Sequence, residues 1–201
     1  MRALVLRAVT LAAVGLSAAP LCTVASAQTR RDPRSLAIAV EPITPTRIES
    51  LLAAENRVLV ADYYRIDMRF GPNLRIDAVI VEDVDSRTRV KGVRVQVRDP
   101  ENRSHQDGTS FIDIEELIQL SHGLASMEEL AGKWMNDERQ TTESTFTTAG
   151  GFRLAIRQSA RIPRVYLSTG LIDPVITSMD LPELPSLRQG FDQALALLNR
   201  K

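Results

Sequence analysis

Cysteine is nearly absent from this chain: the single one, Cys22, lies close to the start. Disulfide staples are therefore excluded from the body of the protein, as are thiolate metal sites and a thiol nucleophile. Histidine is almost as scarce. His105 falls in a polar loop and His122 within a helical pattern, with no HExxH-like spacing and no neighbouring cysteine, so neither suggests a metal site. Aromatic residues make up only 4%, and lysine occurs only at Lys91, Lys133 and Lys201. Acidic and basic residues balance at 25 each, which leaves none of the excess positive charge expected of a nucleic-acid binder. There is no Gly-rich phosphate loop and no serine nucleophile elbow. No cofactor is expected.

A long hydrophobic run is also missing. The most apolar stretch, Leu11 to Leu21, is interrupted by Gly15, Ser17 and Pro20 and is too short to span a membrane. Preceded by Arg2 and Arg7 and followed by Ala25-Ser26-Ala27, it reads as a secretory signal peptide over residues 1–27, cleaved after Ala27. The residue before Cys22 is Leu21, where a lipoprotein signal calls for a small one. The mature chain then begins at Gln28, is slightly acidic, and is expected in the periplasm or outside the cell, with no transmembrane segment. Without disulfides it must be held together by core packing, and its length allows that.

What is present is a repeat. Asp113, Glu116, Leu117, Leu120, Gly123 and Leu124 recur as Asp180, Glu183, Leu184, Leu187, Gly190 and Phe191, at a constant offset of 67 residues. Asp followed three residues later by Glu is the pattern of an N-cap with its reciprocal partner, so both copies are expected to start helices. Thr46-Arg47-Ile48-Glu49 gives the same signal for a short earlier helix. The paired glycines suggest close approach of each helix to another backbone.

Between the caps the period is two. Val58, Val60, Tyr64 and Ile66, then Leu74, Ile76, Ala78 and Ile80, then Val93, Val95 and Val97 line one face each of successive strands, with a possible bulge at Gly92. Asp99 to Gly108 reads as a polar loop leading into the first repeated helix. Residues 140–148, then Phe152 to Arg157, then Val165 to Thr169 give a second set of strands, and Gly170 to Ser178 reads as a connection. The expected fold is α+β: two antiparallel three-stranded meanders, each followed by a covering helix, after a short N-terminal helix. Residues 28–45 form a lead-in, and 46–201 form one domain of two pseudo-repeats, 58–135 and 140–201. This order of elements resembles the tandem strand-strand-strand-helix units of the PUR and Whirly single-stranded DNA-binding domains. The resemblance is architectural and implies a single-stranded nucleic-acid binder, a function that the export signal and the charge balance disfavour.

Two features bear on function. The strand faces opposite the helices carry Arg75, Asp77, Arg94, Gln96, Arg98, Arg153 and Arg157, a polar and partly cationic surface. Asp62 interrupts the apolar face of the first strand, where a carboxylate must be paired to an arginine, turned outward by a bulge, or set in a pocket that Tyr63, Tyr64 and Tyr166 help to line. The acidic run Glu82, Asp83 and Asp85 reads as a solvated strand end. The expected function is a non-enzymatic exported binding module. It works through the arginine-bearing face on an unknown envelope protein or small ligand. The alternative is a hydrolase-like site assembled around Asp62.

Overall fold

The computed structural model describes residues 44–67, 73–98, 107–135, 137, 139–160 and 162–201. The signal segment, the lead-in up to residue 43, the turn at Gly71-Pro72, and His105 lie outside the described residues. Helix α1 (Arg47–Leu52) comes first. Strands β1 (Leu59–Arg65), β2 (Leu74–Asp83), β3 (Arg89–Arg98) and β4 (Asp107–Asp113) precede α2 (Ile114–Trp134). Strands β5 (Arg139–Thr147), β6 (Arg153–Ala160), β7 (Ile162–Thr169) and β8 (Val175–Asp180) follow. A 3-10 turn at Leu181–Glu183 then leads into α3 (Leu184–Arg200). No helix among the described residues is long and apolar enough to cross a membrane.

The class is α+β, but each sheet has four antiparallel strands rather than three, in the orders β1-β2-β3-β4 and β5-β6-β7-β8. The added strands are β4 and β8, where a loop and a connection were expected. In β4, Ser110 and Ile112 point into the core while Thr109 and Phe111 face outward. Pairing with β3 runs unbroken from Gly92↔Asp113 to Arg98↔Asp107. The β2–β3 register runs unbroken through Gly92, from Ile80↔Lys91 to Ala78↔Val93, so the glycine marks no bulge. The missing Cβ instead makes room for Ile112 of β4 and for the Ile48 side chain of α1, which lies 2.6 Å from where a Cβ would stand.

The two repeated helices do not each cover their own sheet. They pack on one another, α3 lies on β2 and β3 of the first sheet, and α2 touches both sheets. Strands β3 and β4 abut β7 and β8, so one core runs through both halves. The repeated positions Leu117, Leu120, Leu124, Leu184, Leu187 and Phe191 are all buried in it. Each such side chain contributes roughly 1.5–3 kcal/mol by leaving water. Gly123 does mark close approach, though to a side chain: a Cβ there would lie 2.5 Å from the Phe146 ring of β5. Polar links reinforce the contacts. Ser121 donates to Asp192 at 2.7 Å and Arg188 meets Glu128 at 3.0 Å between the helices, while the Gly170 N–H donates to Ser110 between the sheets.

Helix α1 closes a second, smaller core on the outer face of the first sheet, with Ile48 and Leu51 over Val79, Val81 and Val90. Thr46 and Glu49 form the expected capping box, with Glu49 accepting from the Thr46 N–H at 2.9 Å and Thr46 accepting from the Glu49 N–H at 3.1 Å. Asp180 and Glu183 also pair as expected, the Asp180 N–H donating to Glu183 at 3.1 Å. Asp113 does something different. It makes no side-chain bond to its own helix; its carboxylate accepts from the Arg47 N–H at 2.7 Å and the Ile48 N–H at 3.3 Å, holding the first turn of α1. Glu116 likewise accepts from the Ala149 N–H rather than reaching back to Asp113.

Candidate binding face on the second sheet

Strand alternation sends Tyr63, Asp77, Arg75 and Arg94 to the outer face of the first sheet. There the register sets Asp77 beside Arg94. The Asp77 carboxylate is wholly buried, and it accepts from Arg75 Nε at 2.9 Å and from Arg94 Nη2 and Nε at 2.8 and 3.1 Å. Arg94 is itself mostly covered and lies over the Tyr63 ring, 4.0 Å from its centroid. Asp77 and Arg94 are thereby sealed into an ion cluster that holds β1, β2 and β3 together, while Arg75 at its margin stays about half exposed. Arg98 pairs with Asp107 at 2.9 Å between half-exposed side chains at the edge of the same sheet, an arrangement worth at most about 1 kcal/mol.

On the outer face of the second sheet the same residue types stay open. Glu143 of β5 holds Arg157 of β6 through Nη2 at 2.8 Å and Nε at 3.0 Å, Arg153 through Nη2 at 2.7 Å, and the Thr145 hydroxyl at 3.0 Å. The hydrogen bonds from Arg157, followed by the one from Thr145, hold the Glu143 carboxyl below its usual range, and Glu143 in turn raises Arg157. Both guanidinium groups remain about half exposed. The Arg157 guanidinium lies 5.7 Å from the Tyr166 ring centroid. Together with Ala155, Ser168 and Ile176 these side chains line a shallow depression of about 260 Å³.

The chain has no match among family models and none among curated proteins. Among solved structures it is similar to WHY1 from Arabidopsis thaliana, at 11% identity over 71% of this chain and 92% of that one, with a TM-score of 0.29. A likeness this loose carries no argument about fold or ligand.

The arginines singled out from the sequence therefore divide. Arg94 is sealed against the buried Asp77, Arg75 holds the same carboxylate from a half-exposed position, Arg98 belongs to an edge pair, and Arg153 and Arg157 share Glu143 beside the depression. Asp62 joins none of them. It lies on the same face of β1 as Val60 and Tyr64, with no bulge, yet it is exposed and makes no ion pair or hydrogen bond among the described residues. The reason is coverage. β1 is an edge strand, and the last turn of α3 sits over β2 and β3, where Lys91 donates to the Leu198 carbonyl at 2.9 Å. Val60 beside Asp62 is also half exposed. The three tyrosines do not converge either: Tyr63 stacks under Arg94, Tyr64 under Lys201, and Tyr166 is on the other sheet.

The acidic run is a solvated end only in part: Asp85 is exposed and Glu82 half-buried, but Asp83 departs from that reading. Asp83 is buried, accepts from Arg57 at 2.6 Å and from the Asp85 and Ser86 N–H groups, and so organises the turn after β2. Hydrogen bonds from Ser86 lead in lowering its pKa to about 2.

Glu143 and Arg164 were not singled out from the sequence. Arg164 is directly opposite Arg157 in the β6–β7 pairing, and Asp180 is opposite Arg164 in β7–β8. The β6–β7 register, set by Ser159 opposite Ile162, places 157 opposite 164 and is the signal from which Arg164 follows.

Proposed function

We propose that the protein is an exported, non-enzymatic binding module that takes its ligand on the outer face of the second sheet. The observation that carries this reading is the contrast between the two sheets. On the first, α1 covers part of the outer face, and Arg75 and Arg94 are both bound to the buried Asp77. On the second, no helix among the described residues covers that face, and it presents arginine, tyrosine and hydroxyl side chains around a depression. A concave site with a few convergent polar groups is the usual setting for recognition, and the depression is the concave part of this face. The signal-like N-terminus, from Arg2 to Ala27, supports a periplasmic or extracellular setting, with an envelope protein or a small envelope ligand as partner.

The test is co-purification of the native protein from its own envelope fraction, side by side with a Tyr166→Ala, Arg157→Gln double variant. Material lost from the variant but retained by an Asp62→Asn control supports the face. Equal retention by the double variant refutes it. N-terminal sequencing of the exported form should start at Gln28; an intact Met1 in the soluble cytoplasmic fraction would refute export.

A further inference from the structure

The open face is rich in donors and poor in acceptors, and that imbalance specifies its ligand. An ionised carboxylate offers about four acceptor positions. Glu143 fills them with Arg157 Nε and Nη2, Arg153 Nη2 and the Thr145 hydroxyl. Each guanidinium carries five N–H groups, so Arg153, bonded through Nη2, and Arg157, bonded through Nε and Nη2, keep donors to spare on half-exposed side chains. Arg164 adds another cation directly across from Arg157. Its side chain is exposed and makes no ion pair among the described residues. Like charges facing each other across a ladder are unfavourable by themselves, and an anion placed between them would relieve this. Forked guanidinium groups match carboxylate and sulfate geometry.

Beside the arginines lies the half-buried Tyr166 ring, with Ser178 and Ser168 outward-facing around it on β8 and β7. Hydroxyls both give and accept hydrogen bonds, and an aromatic face receives a ring. A ring bearing hydroxyls and an acidic group satisfies all of these at once. Resting on the face assigned above, we infer that the depression binds an acidic saccharide, its carboxylate or sulfate held between Arg157 and its arginine neighbours and its ring laid on Tyr166. A single-stranded nucleic acid is the poorer fit. Glu143 and Asp180 interrupt the cationic row, and one tyrosine provides no run of stacking platforms.

The experiment titrates the full exported chain, labelled for backbone NMR, with tetragalacturonate, a heparin-derived tetrasaccharide, methyl-esterified tetragalacturonate and a twelve-residue oligothymidylate. At least one of the acidic saccharides should bind and shift amides of β5 to β8, with the esterified form weaker by roughly tenfold, as expected for loss of a charge-assisted bidentate contact. Arg157→Gln should weaken acidic binding by a similar factor without lowering the melting temperature, and Tyr166→Phe should retain it. Failure of both acidic saccharides to bind at millimolar concentration overturns the inference, as does tighter binding of oligothymidylate. Equal binding of the ester on β5 to β8 overturns the acidic preference while leaving the binding face intact. Shifts confined to the first sheet overturn both.

Discussion

Asp113 provides the sharpest test of how the chain is held together, because its carboxylate serves a helix other than the one it precedes. It is almost fully buried, and both of its bonds go to the first turn of α1. Asp113→Ala leaves the Ile48 N–H, inside the smaller core, without an acceptor, at about 1–3 kcal/mol. The shorter, charge-assisted bond to the Arg47 N–H adds to that, so the total loss is about 2–4 kcal/mol. Against a domain stability of about 5–15 kcal/mol this is a large change. A six-residue helix has no stability of its own, so α1 depends on this anchor together with Ile48 and Leu51. The discriminating variant is Asp113→Ser. A cap of α2 would tolerate serine with almost no loss. A latch across to α1 would not, since one short hydroxyl cannot serve two N–H groups on another element. Urea denaturation should rank wild type above Asp113→Asn, with Asp113→Ser and Asp113→Ala lowest. Hydrogen exchange should show the Ile48 amide exchanging faster in the variants while those of Leu117 and Leu120 are unchanged. Wild-type stability in Asp113→Ser would refute the latch.

Asp77→Ala should cost about 2–3 kcal/mol, below the full penalty for a broken buried pair because Arg75 is half exposed, and Asp77→Asn should cost less; denaturation midpoints check both. Asp62→Asn and Asp62→Ala should each stay within about 0.5 kcal/mol of wild type, as exposed sites do, and a loss of several degrees in melting temperature for either would show that the carboxylate is engaged. For Asp83 the folded-state pKa is depressed, so its contribution is complete above its ordinary value of 3.8 and disappears as the pH falls through about 2. The stability gap between wild type and Asp83→Asn should therefore be constant near neutrality and close across that acidic window, and a gap that widens there would contradict the assignment.

The sequence by itself determined what depends on neighbours within a turn or a pleat. The box at Thr46 and Glu49, the pair at Asp180 and Glu183, the alternation of β2, β3, β6 and β7, and the buried stripe repeated from Leu117 to Leu184 are all of this kind. Each rests on backbone groups or faces set by residues two to four positions away. Tertiary structure decided the rest. β4 begins at Asp107-Gly108 and β8 directly follows Asp173-Pro174, so turn chemistry masks both, and their ladders with β3 and β7 make them strands. Asp113 carries a capping signature but lies closer to the orphan N–H groups of α1 than its spacing with Glu116 reveals. Asp62 sits on an apolar face at a point that α3 leaves uncovered, and Arg94 and Arg157 look alike in sequence although one is sealed against Asp77 and the other is half exposed. Burial depends on which element is placed on top, and that placement is fixed by contacts tens of residues apart that no local period encodes.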